Sequence, residues 1–500
     1  MADYRVNNFE KGLDEIGRSA LNNKLSNITY TFDGTEADLM NDLDKISDFI
    51  EHHLENQRPR LNALNSYYEA QNYNLVPDRR RLEKHLADNR AAHDFAAYIS
   101  DFINGYFLGN PIQIQHDDDK VIEQLNVIHD YNDIDSHNRS IGLDLSVYGR
   151  AYEYIIRNEK DEVKLYKSDV QNTFIIYDNT IEQNSLAAIR YWQTTDTDDE
   201  EDVFFVDIIT SQFTYKYATY KSNAFKLTER DVPEPHAFER VTITELRNNE
   251  RRRGDFEKVI TLIDLYDNAQ SDTANYMSDL NDAMLLVKGN IDLTTDEVDK
   301  MKQSNVFMLN PPIYTDETLA KETEGNVDAG YIYKQYDVQG TEAYKTRVHD
   351  DIHMFTNTPN MKDDSFSGTQ SGEAMKYKLF GLEQRTKIKE GLFEKALKRR
   401  YKLIETILKN NYELDRSKEL NRLQFTFNRN LPKAVLEELN AYVSAGGKLS
   451  QSTLMSLVSF IKNPELEEKK IEDEEKKNEL KFGDSVYSDA GTPQSDTKEG

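Results

Sequence analysis

The chain has 500 residues, of which 90 are Asp or Glu and 62 are Lys or Arg, leaving a formal charge of −28 and no cysteine. That length buries the cores of two or three domains, and the missing thiols exclude a disulfide framework, a thiolate zinc centre and a cysteine nucleophile. So acidic a chain repels nucleic acid and anionic membrane as a whole, and any contact with DNA has to be local.

The start, Met1-Ala2-Asp3-Tyr4-Arg5-Val6, lacks an apolar signal core, and no later run approaches the roughly 20 apolar residues that span a bilayer. A soluble, unprocessed protein with no membrane partner is expected. Residues 1–35 show no sustained period and read as an arm that orders on a partner. Thr35 and Asp38 form a capping-box pattern, after which Leu39, Leu43, Ile46, Phe49 and Leu54 recur at helical spacing up to Pro59. A second helix is expected from near Asn89, through Ala92, Phe95, Ile99, Phe102 and Tyr106, to the stop at Gly109 and Pro111. A third lies between Lys120 and Tyr148.

Six β-branched and aromatic runs follow: Ala151 to Ile156, Val163 to Lys167, Thr173 to Tyr177, Ala187 to Gln193, Val203 to Ile209 and Phe213 to Tyr220. Their short connections favour an antiparallel sheet, so the class is α+β. From Asp255 the period is helical for about 30 residues, a rod of about 45 Å, with Phe256, Ile260, Ile263, Tyr266, Ala269, Tyr276, Leu280 and Met284 along one side. Asp264, Asp267, Asp272, Asp279 and Asp282 make its remainder acidic. Strands are expected at Leu285 to Lys288, Val306 to Leu309 and Tyr331 to Gln335, with a short helix near Thr295 to Lys302.

A helix from Thr341 to Phe355 leads to a polar loop, Asn357 to Gly372, and then to a helix from Glu373 to Asn410 whose surface carries ten basic residues: Lys376, Lys378, Arg385, Lys387, Lys389, Lys395, Lys398, Arg399, Arg400 and Lys402. Leu431 to Ile461 reads as a small helical module. After Pro464 a charge run fades into a polar end that is expected to be partly disordered.

The phosphate loop G-x-x-x-x-G-K-[ST], the dinucleotide G-x-G-x-x-G after a strand and the nucleophile turn G-x-S-x-G are all missing from the sequence. His349 and His353 stand at i and i+4, the spacing of a zinc pair, without an evident third ligand, and read as solvated or interface histidines. The runs Asp117-Asp118-Asp119 and Asp198 to Asp202 read as solvated loops. No catalytic residue, metal or cofactor is assigned.

Three stretches carry a resemblance. The first is Asn89-Arg90, Phe95, Ile99, Asp101 and Gly105 to Ile112, with Tyr148-Gly149-Arg150-Ala151-Tyr152-Glu153. The second is Phe174 to Glu182 with Ala187 to Tyr191. The third is Asn248-Asn249-Glu250, Gly254-Asp255-Phe256-Glu257 and Ile263-Asp264, with Ser367-Gly368, Ser371-Gly372 and Lys376 to Leu379. Together they resemble the portal proteins of long-tailed bacteriophages of Gram-positive bacteria, over roughly residues 36 to 410.

The resemblance implies a homo-oligomeric ring of twelve subunits, with a wing, a two-helix stem, a small α/β clip and a helical crown. Residues 1–35 would be an arm, 36–240 wing, 241–285 the first stem helix, 286–338 clip and 339–357 the second stem helix. Residues 358–372 would be the tunnel loop, 373–410 the long wing helix, 411–463 crown and 464–500 a charged tail. Gly368-Thr369-Gln370-Ser371-Gly372 departs from the family's common Gly-Asn-x-Ser-Gly. Its implied function is non-enzymatic: a ring at the capsid vertex, assembled in the host cytoplasm and carried in the virion, through which double-stranded DNA is packaged and ejected without sequence specificity. Its implied partners are terminase, the major capsid and scaffolding proteins, and a head-completion adaptor. DNA would meet the tunnel loop at Asn360, Met361, Lys362, Asp363, Asp364, Ser365 and Phe366, with the acidic stem helix as a repulsive wall. Two alternatives stay open: another head-tail adaptor ring, and a metal-dependent nuclease using His349 and His353.

Overall fold

A computed structural model of the chain describes residues 15–76, 81, 87–195, 202–220, 225–279, 284–288, 313–316, 321–324, 328–332, 337–360, 377–410 and 420–430, with a few positions between 294 and 300 and between 444 and 474. Helix and strand are mixed, as expected. The chain divides into two compact units. The first is Met1–Asp101, Leu143–Tyr154 and Lys167–Asn360, and the second is Phe102–Gly142, Ile155–Tyr166 and Met361–Gly500. Among the described residues no helix is long and apolar enough to cross a membrane.

The first unit is built on a sheet of six strands. In spatial order they are Tyr30–Phe32, Thr173–Asp178, Ser185–Thr195, Asp202–Ile209, Phe213–Tyr220 and Thr228–Pro235. All neighbours are antiparallel except the first pair, where Tyr30 lies opposite Ile176 in parallel register. The strand at 30–32 falls inside the stretch read as an arm that orders on a partner. Tyr30 brings it order: its ring is buried at 4.6 Å from that of Phe174 and its hydroxyl meets His52 Nδ1 at 3.0 Å. Phe174 and Ile176 face one apolar cluster with Leu39, Ile46, Ile50, Ala187, Ile189 and Val206, while Ile175 and Tyr177 face another with Leu61, Tyr152, Val241 and Ile243. Burial on both faces explains why that strand reads as an unbroken apolar run rather than an alternating one.

Several expected helices are cut differently. The capping box is present, with Thr35 Oγ1 accepting from Asp38 N and the Asp38 carboxylate accepting from Thr35 N. Asp42 then breaks the helix into Glu36–Asn41 and Leu43–His52, and a π-turn at His53–Gln57 runs into Arg58–Tyr68. Pro59 therefore does not end the helix; it stands just after the π-turn, in the first turn of Arg58–Tyr68. Asp133, at φ 46°, splits the third helix into Asp119–Asn132 and Ile134–Tyr148. The helix expected from Asn89 begins only at Phe95, and the rod expected from Asp255 is a helix over Ile260–Asp279. Met284, counted on that rod, lies in a strand, Met284–Lys288, paired with Asp328–Ile332. The strand expected at Val306 to Leu309 lies outside the described residues.

In the second unit the helix Phe380–Asn410 packs Phe393 against Phe107 and Phe427, and Tyr401 against Phe425. Buried Arg400 donates to Asn138 Oδ1 at 2.9 Å, and Arg429 binds Glu383 and Glu390.

Candidate functional site

The helix Ile260–Asp279 carries short polar side chains at every fourth position: Asp267, Ser271, Asn275 and Asp279. An extended segment, residues 87–93, runs antiparallel along them. Ala87 N donates to Asp279 Oδ1 at 3.2 Å, Asn89 N to Asn275 Oδ1 at 2.6 Å, Ala91 N to Ser271 Oγ at 2.9 Å and His93 N to Asp267 Oδ1 at 2.9 Å. The match is geometric. Two extended residues rise about 6.6 Å and four helical residues about 6.0 Å, so alternate N–H groups meet successive helical turns. Asn72 Nδ2 donates to the other oxygen of Asp267 at 2.6 Å, and Asn74 Nδ2 to Ser271 Oγ at 2.7 Å. The ladder's register is fixed at one end. A slide of one turn toward the start of the helix would set a donor against Ile263, whose side chain cannot accept.

This ladder explains why residues 89–94 are not helical: the N–H groups of Asn89, Ala91 and His93 have acceptors outside any local helix. It also relocates the acidic face. Asp264 is buried, accepts from Tyr67 Oη at 2.6 Å and pairs with Arg18, and burial pushes its carboxyl above the usual range despite Tyr67 and Arg18. Asp267 is fully buried and binds His93 Nδ1 at 2.7 Å, while Asp279 pairs with Arg81 at 2.5 Å. Of the five acidic residues singled out on this helix, Asp272 is the exposed one among the described residues; Asp282 lies outside them. Sequence reasoning missed Ser271 and Asn275, although short polar residues repeating at i+4 between two aspartates are a readable signal.

A buried ionic knot sets where this helix begins. Glu245 accepts from Arg252 at 2.7 and 3.1 Å, Arg247 at 3.0 Å and Tyr177 Oη at 2.8 Å. Burial alone would raise this carboxyl, but the guanidinium groups, Arg252 first, outweigh it and hold it at about 2. Arg252 adopts φ 53°, and its carbonyl backs onto Gly149 at φ 81°, where a Cβ would stand 2.4 Å from that oxygen. Asp255 accepts from Ser146 Oγ at 2.5 Å and Asn248 Nδ2 at 2.9 Å, and Arg60 pairs with Glu257 at 2.7 Å. Gly149 belongs to the first resemblance stretch, Tyr177 to the second and Asn248, Asp255 and Glu257 to the third, so parts of all three meet around this knot.

The second helix, Val338–Thr356, packs on the first, with Lys345 Nζ donating to Gln270 Oε1 at 3.3 Å. His349 and His353 do share a face, their ring centroids 4.6 Å apart, but they sit among Phe95, Tyr98 and Tyr266. Burial, reinforced by His349, lowers His353 to about 4, and its Nδ1 faces Thr358 Oγ1 at 3.3 Å. Among the described residues no three His, Asp or Glu side chains gather as a metal site. Asn360 closes the described part of the loop after this helix; Met361, Lys362, Asp363, Asp364, Ser365 and Phe366 lie outside the described residues.

The model of the family described as "Phage portal protein, SPP1 Gp6-like" matches residues 47–480. The chain belongs to this family. Two relatives carry the name portal protein. One, from Clostridium phage phiCD119, is 24% identical over 77% of this chain and 86% of its own length. The other, from Bacillus phage SPP1, is 21% identical over 82% of this chain and 79% of its own length. A chain from the solved neck of an empty GTA particle aligns over 73% of this chain and 90% of its own at 12% identity, with a TM-score of 0.41, too low to carry an argument. The family match spans both the ladder and the ionic knot of this portal-family chain.

Proposed function

We propose that twelve copies of this chain close into a ring at one vertex of a phage capsid, and that double-stranded DNA enters and leaves through its centre without being read. The observation that carries this is the family match over residues 47–480. The surface of the single chain supports it. Leu265 and Met277 on one helix and Val338, Tyr344, Met354 and Phe355 on the other are large, apolar and exposed. A neighbouring copy on each side would cover them, and a closed ring leaves no such face open.

In this reading the helices 260–279 and 338–356 form the stem, the strands between them belong to the clip, and the loop from Asn360 to Phe366 reaches the tunnel. There Lys362 would meet phosphate while Asp363 and Asp364 weaken the contact. The role is structural; the work of packaging falls to a terminase ATPase docked on the ring, and capsid, scaffolding and head-completion proteins would bind its other faces. The place of action is the virion, after assembly in the host cytoplasm. Native mass measurement and imaging of the purified protein test the ring directly. Closed rings with a central opening are expected, and a stable monomer at every salt and protein concentration would overturn the proposal.

A further inference from the structure

The helix Phe380–Asn410 sorts its basic residues into two groups. Lys389 and Arg400 are buried, and Arg385 and Arg399 are half-buried. Lys387, Lys395, Lys398 and Lys402 are exposed. At 100° per residue these four fall within about 80° of arc and extend over about 22 Å of helix. Lys398 pairs with Glu394 at 2.7 Å on the surface; Lys387, Lys395 and Lys402 have no ion pair among the described residues. Glu405, on the same side, is already bound by Lys409 and by Leu420 N. On a chain of net charge −28 this is a concentrated positive ridge.

We propose that Lys387, Lys395, Lys398 and Lys402 form a phosphate-contacting ridge that binds duplex DNA without sequence preference. The proposal deepens the portal reading, on which it rests for the DNA, by naming a second contact apart from the tunnel loop. Three observations favour DNA over an acidic polypeptide. The fully exposed basic residues are all lysines, mobile point charges suited to sliding contacts, while the helix's arginines, suited to fixed bidentate pairing, are buried or half-buried. From Gly391 to Lys402 the exposed residues are glycine and lysine, with Glu394 half-exposed beside Lys398, and the ridge lacks the apolar centre that a protein interface needs. Along the helix its successive lysines rise about 12, 4.5 and 6 Å, so Lys395, Lys398 and Lys402 reach neighbouring phosphates on one strand and Lys387 a phosphate further along. The apolar residues Tyr377, Phe380 and Ile388 are exposed toward the other end of the same stripe and are where a protein would dock instead.

The test uses the full assembled chain and a short labelled duplex, with anisotropy followed from about 50 to about 200 mM salt. Four phosphate contacts predict a loss of roughly 100-fold in affinity across that range. The variant K387E/K395E/K398E/K402E should lose that dependence and bind at least about tenfold more weakly at the low-salt end. The all-arginine variant should keep binding, which separates charge from folding. Unchanged DNA binding by the glutamate variant overturns the ridge, as does binding of poly-L-glutamate in place of DNA. Ring formation is measured on the same samples. Intact rings with unaltered DNA binding sink the ridge alone, whereas failure to form rings sinks the portal reading.

Discussion

The helix 260–279 turns Asp264, Asp267 and Asp279 onto Tyr67, His93, Arg18 and Arg81, whereas the helix 380–410 leaves Lys387, Lys395, Lys398 and Lys402 in solvent. Both looked alike in the sequence, as long amphipathic stretches with one dominant sign of charge. The difference lies in reach. Aspartate, serine and asparagine are short enough to bind a backbone laid against the helix, and repeating them every fourth residue makes a ladder. Lysine's four-carbon stem carries its charge past the packing surface. Charge on short side chains at i+4 is internal structure here, while the long lysines at 387, 395, 398 and 402 are displayed.

Breaking the ladder should have the largest effect. Asp267→Ala strips the acceptor from His93 N, His93 Nδ1 and Asn72 Nδ2 at a fully buried position. A loss of about 3–5 kcal/mol is expected, since buried donors are left unpaired. Urea midpoints measure it, with K395E/K402E as the contrast, for which less than about 0.5 kcal/mol is expected. A loss below about 1 kcal/mol for Asp267→Ala would mean that the segment 87–93 is held by something else.

A smaller, pH-dependent effect separates the helix pair from the ridge. His353 has its folded-state value lowered to about 4 from the ordinary 6.5, first by burial and then by His349. Protonation therefore favours the unfolded chain. The stability this histidine leaves intact is full above about pH 6.5 and is lost as pH falls toward 4. About 1–3 kcal/mol should disappear across that window. His129, also buried and lowered to about 4, adds its own slope, so the difference between the parent and His353→Gln isolates His353. Equal slopes in the two proteins would show that the fold leaves His353 at its ordinary value and does not bury it against protonation.

How much was legible follows from the same physics. The six central strands, the capping box at Thr35 and Asp38, and the paired histidines stand close to where period and spacing placed them. The strands Thr228–Pro235 and Ile243–Arg247 were not read, because the first alternates weakly at an exposed edge and carries two prolines. Tyr30–Phe32 is too short to show a period and is held by parallel pairing to a distant strand. Residues 89–94 were misread as helix because their apolar spacing is helical, while the acceptors that keep them extended lie some 180 residues away.

The smallest expected effect tests what remains of the acidic wall. Asp272 is exposed on the helix 260–279, one residue after the rung Ser271 and so about 100° round the helix from the ladder, which its substitution leaves untouched. Asp272→Lys should change stability by less than about 0.5 kcal/mol. If this helix lines a channel that carries DNA, the change replaces a repulsive charge with an attractive one in every copy. Affinity of assembled rings for a short duplex should then rise several-fold at about 50 mM salt and return to the parent's value near 1 M, where screening is short-ranged. The same substitution in a helix that faces a neighbouring copy would instead weaken assembly. Unaltered affinity together with unaltered assembly would place Asp272 on an outer surface and remove the acidic wall from the account of how DNA slides.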